Sequence, residues 1–232
     1  MRVDGLIFDK DGTLFDFGAT WSGYTQSVIA HFAQGRADKM AAISNALGFD
    51  LASGNYHPDS PVIAGTNRQT AELLASVVSG GDVQAIERYL RQSAAQVTAV
   101  AAVPLVPFLQ GLKTQGQKLA VMTNDTEFGA HAHLREAGVA DHFDTIIGAD
   151  SGYGAKPDPD PLLAIAEIMS IDPAHLVMIG DSTHDLLAGK RAGMRTIGVL
   201  TGIAEAAELA PYADIVFKNI GGVPAWLETI NH

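Results

Sequence analysis

The chain has 232 residues, 47% of them hydrophobic, with 15 Lys plus Arg against 26 Asp plus Glu and no cysteine. That length supports one substantial core, or a core with a smaller satellite domain. The net charge of −11 disfavours a polyanionic partner such as nucleic acid, and the missing cysteines exclude a disulfide framework, a thiolate metal site and a cysteine nucleophile.

The first apolar run, Gly5 to Phe8, reads as a buried strand and ends in Asp9-Lys10-Asp11-Gly12-Thr13-Leu14. In an extended segment, side chains two positions apart leave the same face, so Asp9 and Asp11 are expected to flank one reacting atom. Gly12 frees the backbone to turn, and Thr13 adds a hydroxyl donor to a loop suited to an anionic ligand. Lys10, by the same alternation, points away from that ligand and is read as tolerated and not catalytic.

From about Asp16 to Val103 no strand pattern appears. Helical spacing does: Trp21, Tyr24, Val28 and Phe32; then Met40, Ile43 and Leu47; then Ala71, Leu74 and Val78; then Val83, Ile86 and Leu90. Thr66 with Gln69 three residues later resembles a capping box. Gly54 to Gly65 carries no assignable pattern. The stretch reads as an all-helical insertion, giving domains of 16–103 for a helical cap and 1–15 with 104–232 for the core.

Beyond it, short apolar strands recur at Leu119–Met122, Thr145–Ile147, Leu176–Ile179, Thr196–Val199 and Ile215–Phe217, alternating with helical patterns. The expected fold is α/β: a Rossmann-like, doubly wound parallel sheet whose ligand site lies at the carboxyl ends of the strands. The start of the chain lacks a basic-then-apolar leader pattern, and its longest apolar stretch, Ala99 to Leu109, is interrupted by Pro104 and Pro107. A soluble, cytoplasmic protein without a membrane partner is the expectation.

Each of three later strand ends carries polar residues that complement the first. Thr123-Asn124-Asp125 offers a hydroxyl and backbone N–H groups at a helix start for phosphate oxygens. Lys156-Pro157 delivers an ammonium on a constrained loop, where it can neutralise charge on a transferring phosphoryl group. Gly180-Asp181-Ser182-Thr183-His184-Asp185 places two acids four apart, with Ser182 or Thr183 as helix cap, and hard oxygen ligands of this kind suit Mg²⁺. His184 is read as half-buried and hydrogen-bonded, and His131 and His133 as surface residues.

This ordered set, Asp9-x-Asp11-Gly12-Thr13, Thr123, Lys156-Pro157 and Gly180-Asp181-x-x-x-Asp185, resembles the haloacid dehalogenase-like superfamily, and the insertion after the first strand resembles the cap of its phosphoglycolate phosphatase and β-phosphoglucomutase branch. The resemblance implies that Asp9 is the nucleophile forming an aspartyl-phosphate and that Asp11 is the general acid, then base. It implies that Thr123, Asn124 and Lys156 hold the phosphoryl group, and that Asp9, the Asp11 carbonyl and Asp181 bind Mg²⁺ with Asp185 close by. The expected activity is Mg²⁺-dependent hydrolysis of a small-molecule phosphate ester, with 2-phosphoglycolate as the first candidate and a monomer or homodimer as the expected state. A sugar phosphomutase and a phosphorylated switch module are the alternatives. In the cap, Arg68 stands early in a helix, where the dipole disfavours a cation, and is expected to face an anionic substrate group.

Overall fold

The computed structural model describes residues 2–231. In chain order the elements are β1 (Gly5–Phe8), α1 (Phe17–Ala33), α2 (Ala37–Leu47), β2 (Phe49–Asp50), β3 (Asn55–Tyr56), α3 (Asn67–Val77), α4 (Val83–Ala94), α5 (Leu105–Thr114), β4 (Lys118–Met122), α6 (Glu127–Glu136), β5 (Thr145–Ile147), α7 (Asp160–Met169), β6 (Leu176–Gly180), α8 (Thr183–Arg191), β7 (Arg195–Val199), α9 (Ala206–Leu209), β8 (Ile215–Phe217) and α10 (Val223–Asn231). No helix among the described residues is long and apolar enough to cross a membrane.

Six strands form one parallel sheet in the order β5-β4-β1-β6-β7-β8. The chain leaves β1 toward β4 on one side and later returns to β6 on the other. β1 is therefore the switch point, and the crevice beyond its carboxyl end is where such sheets bind ligands. Strand alternation sorts β1 between two cores. Leu6 and Phe8 pack with Leu109 of α5, Leu134 of α6 and Leu227 of α10, while Ile7 packs with Leu162 of α7 and Ala188 of α8. The strands read as unbroken apolar runs because helices cover both faces.

Helices α1 to α4 share a third cluster of their own, including Trp21, Ile29, Ile43, Leu74, Ile86 and Leu90. The capping box opens α3 as expected: the Thr66 side chain accepts from Gln69 N, and the Gln69 side chain accepts from Thr66 N. The region is not wholly helical, however. β2 and β3 pair antiparallel, with Phe49 opposite Tyr56 and their rings 5.0 Å apart at 79°. Two-residue strands are too short to show alternation; β3 falls in the unassigned loop and β2 in the short link between Leu47 and that loop.

Two backbone crossings join this cluster to the sheet, side by side. Asp16 N donates to Val100 O at 2.8 Å, and Ala102 N donates to Leu14 O at 2.9 Å.

Candidate active site

Alternation along β1 carries past its end. Asp9 emerges on the side of α7 and α8, where Lys156 Nζ lies 2.8 Å from its Oδ1 and 2.6 Å from Asp185 Oδ1. Lys156 Nζ also donates to Met122 O at 2.9 Å. Asp9, Asp181 and Asp185 are buried and offer oxygens within 4.8 Å of one another. Ser182 caps α8, its Oγ accepting from Asp185 N, and its own backbone N–H donates back to Asp185 Oδ2 at 3.0 Å, which fixes the second acid of the pair.

Three buried carboxylates against one ammonium leave an electrostatic deficit. Burial raises the Asp9 carboxyl, Lys156 opposes that rise, and Asp185 adds to it, leaving Asp9 pushed up to about 7. Burial, then the neighbouring Asp185 and Asp9, also holds Asp181 well above the usual carboxylate range. For Lys156 burial alone would lower the ammonium, but Asp185 and Asp9 reverse this and raise it. A divalent cation would relieve the deficit, and an all-oxygen donor set fits a hard ion such as Mg²⁺.

The Asp181 carboxylate is seated against backbone. Gly12 has φ +79°, and a Cβ there would stand 2.3 Å from Asp181 Cγ; a Cβ on Gly202 would stand 1.7 Å from Asp181 Oδ2. Thr201 Oγ1 donates to Gly12 O at 2.6 Å, tying the loop after β7 to the β1 loop. Sequence reasoning passed over Thr201 and Gly202, although they too follow a strand end.

Asp11 reaches the same cavity by a different route from the one expected. The strand ends at Phe8, and Leu14 N and Phe15 N both donate to Lys10 O, so Asp11 stands on a turn rather than on extended chain. Its Oδ2 lies 2.7 Å from Lys10 Nζ, and its Oδ1 accepts from Trp21 Nε1 at 2.9 Å. Lys10 does point away from Asp9, but it is far from incidental. Wholly buried, it also meets Asp125 Oδ2 at 3.0 Å and His133 Nδ1 at 3.0 Å. Burial alone would lower its ammonium; Asp11 and Asp125 overcome that and raise it.

His133 corrects the surface reading: it is fully buried on α6, and its Nε2 lies 2.9 Å from Ala94 O at the end of α4. Lysine has only donors, so Nδ1 accepts and Nε2 carries the proton. Burial, then Lys10, keeps this imidazole below its ordinary value. Nothing in the local pattern distinguished it from the partly exposed His131 two residues earlier.

The remaining site residues divide. Thr123 is buried and lines the cavity; its Oγ1 accepts from Asp125 N, and the cap of α6 is Thr126 instead. Asn124 lines the cavity as well, with its side-chain amide committed to protein. Its Nδ2 donates to Ala64 O and Lys156 O, and its Oδ1 accepts from Lys156 N, so it clamps the lysine loop and reaches the cap. Arg68 is not brought to the cavity. Half-exposed, it pairs with Glu72 at 2.8 Å and Glu87 at 3.1 Å on the outside of α3 and α4, because those acids satisfy a cation that the dipole alone disfavours. His184 is partly buried and faces the cavity.

Residues 3–193 match the family model for haloacid dehalogenase-like hydrolases. The phosphoglycolate phosphatase of Psychrobacter arcticus is 31% identical over 198 residues, covering 85% of this chain and 83% of that one. The phosphoglycolate phosphatase of Neisseria meningitidis is 45% identical over 94 residues, a match spanning 40% of each chain. In fold, the chain is similar to the crystal structure of a hydrolase from Pseudomonas syringae, with a TM-score of 0.70 at 22% identity over 99% of both chains. The chain belongs to the haloacid dehalogenase-like hydrolases and resembles their phosphoglycolate phosphatase branch.

Proposed function

We propose that this hydrolase is a Mg²⁺-dependent phosphomonoesterase acting on a small phosphorylated metabolite through an aspartyl-phosphate. The observation that carries the reading is the meeting, in one cavity, of Asp9 and Lys156 at 2.8 Å, the Asp181 and Asp185 carboxylates, and the separately held Asp11. The division into a core of 1–15 and 104–232 and a cap of 16–103 belongs to the same reading, with the paired crossings near Asp16 and Val100 as its joints.

Asp9 forms a bond from a carboxylate oxygen to phosphorus as the ester P–O bond breaks. The leaving alkoxide takes a proton from Asp11. Water then attacks phosphorus, Asp11 accepts its proton, and the Asp9–phosphate bond breaks to release inorganic phosphate. Splitting hydrolysis in this way replaces one hard displacement with two easier ones. Trp21 Nε1 and Lys10 Nζ donate to the two oxygens of Asp11 and hold its carboxyl in place. A positioned acid and base contributes typically ~10²–10⁴-fold.

Lys156, held by Asn124 at its backbone, sets one ammonium against the phosphoryl oxygens, and Thr123, directly after Met122 at the end of β4, lines the same cavity. Asp9, Asp181 and Asp185 are the carboxylates placed to hold the metal, with the Asp11 carbonyl assigned by resemblance. Bound there, Mg²⁺ supplies the charge that lets one anion approach another.

A panel of phosphate esters assayed with and without Mg²⁺ tests this reading, with 2-phosphoglycolate included because relatives bear its name. Metal-dependent release of free phosphate, lost in Asp9→Asn, is expected. Hydrolysis that persists in Asp9→Asn would remove Asp9 as nucleophile. Isomerised sugar phosphate would point to a mutase instead.

A further inference from the structure

The cavity that holds Asp9 and Asp11 has a volume of about 140 Å³, and its far wall is built by the cap. Phe17, Trp21 and Val28 of α1, Leu47 of α2, Tyr56 of β3 and Leu90 of α4 present buried apolar surface to it. We propose that this wall receives an uncharged, largely apolar alcohol moiety, so that the substrate is a phosphomonoester whose phosphate is its one anionic group. The assignment rests on the phosphatase reading and names the substrate class for it.

Charge supports this first. Among the described residues lining this cavity and the one adjoining it, Lys156 is the sole lysine or arginine, and it faces Asp9 and Asp185. A substrate carboxylate, or a second phosphate, on the cap side would be desolvated with no lysine or arginine beside it to pair with. An unpaired buried anion is among the most unfavourable placements a protein can offer. Arg68, the cap cation nearest in sequence to the lining residues Asn67 and Thr70, is spent on Glu72 and Glu87.

Hydrogen bonding supports it next. The polar cap side chains in the lining are already engaged with protein. Tyr24 Oη bonds Ser93 Oγ at 3.0 Å, Tyr56 Oη and Thr25 Oγ1 bond each other, Thr70 Oγ1 donates to Thr66 O, and Asn67 Nδ2 donates to Glu87 O. With those groups satisfied, the rings offer mainly their faces and edges. Aromatic surfaces of this kind favour a flat or hydrocarbon partner, as in the edge contacts of Phe17 with Tyr56 and of Trp21 with Tyr24. On the core side Thr123, Ser182 and His184 also line the cavity, and the matched probes below test whether they take up a second anion.

Two pairs of probes differ by one carboxylate: phenyl phosphate against 4-carboxyphenyl phosphate, and 2-hydroxyethyl phosphate against 2-phosphoglycolate. With the Mg²⁺-loaded protein, kcat/KM is expected to be about tenfold or more higher for the neutral member of each pair, because the charged member buries an unpaired anion. Equal or better turnover of the carboxylated members overturns the assignment and leaves the phosphatase reading standing. Calorimetric binding of the same four esters to Asp9→Asn separates the two. Tighter binding of the neutral members without turnover in the unsubstituted protein would sink the hydrolase reading and keep the cavity assignment. Tighter binding of the carboxylated members, or no binding of any ester, overturns the assignment whatever the turnover.

Discussion

Lys10 Nζ stands 2.7 Å from Asp11 Oδ2 with the lysine side chain wholly excluded from solvent. The proposed acid and base is thus held by its own neighbour in sequence, which in turn binds Asp125 and His133 from two later segments. A residue placed between two functional acids is here the hub of the charge network behind them.

Replacing Lys10 tests that role directly. Lys10→Met is expected to cost about 3–5 kcal/mol of stability, since it leaves the part-buried Asp11 and Asp125 without their cation. Chemical denaturation measures this, and Lys10→Met with Asp125→Asn should recover part of the loss. A change below about 1 kcal/mol would mean that water replaces the ammonium readily.

Metal and pH act on the other side of the strand. The Asp9 carboxyl is raised from its ordinary 3.8 to about 7, so the folded state holds this proton more tightly than the unfolded chain. Its contribution is fully present below 3.8 and is lost as pH rises through about 7. In EDTA, the thermal midpoint of the unsubstituted protein should fall more over that interval than that of Asp9→Asn. A parallel pH course in both proteins would refute the assignment.

Added Mg²⁺ should reverse that loss near and above neutrality. Binding to the folded state alone adds about 2.7 kcal/mol at a hundredfold excess over Kd. The shift should shrink sharply in Asp181→Asn, whose carboxylate sits against Gly12 and Gly202. Titrating the thermal midpoint with Mg²⁺ gives the comparison.

His133 is expected to remain neutral and Nε2-protonated when an exposed histidine has begun to charge. Burial, followed by the Lys10 ammonium, lowers it from its ordinary 6.5. The stability it contributes is therefore present above 6.5 and lost as pH falls through the lower folded value. Nitrogen shifts of the imidazole report the tautomer, and an Nδ1-protonated ring would contradict the bond from Lys10.

Arg68→Ala should leave KM for anionic esters unchanged and stability little affected, because its partners Glu72 and Glu87 lie on the exposed outer face. A raised KM would return Arg68 to the substrate.

Much of the architecture was legible from local pattern. The apolar run Gly5–Phe8 and its five later counterparts became the six sheet strands, and Thr66 with Gln69 became a capping box. Asp9, Lys156, Asp181 and Asp185 converge because every parallel strand delivers its carboxyl end to one edge of the sheet. Where local pattern was weak, the reading was too: β2 and β3 are two residues each, and His133 looked like any polar helix residue.

By itself, then, the sequence determined the sheet, the cap helices and the acids at the strand ends, since periodicity and chain direction are local properties. Tertiary structure alone decided which partners those residues took. Lys10 and His133 are 123 positions apart, and Asn124 spends its amide on Ala64 and Lys156 across 60 and 32 positions. The apolar cap wall is likewise contributed by helices that meet only when their faces are buried together, because no single segment can conceal its apolar stripe alone.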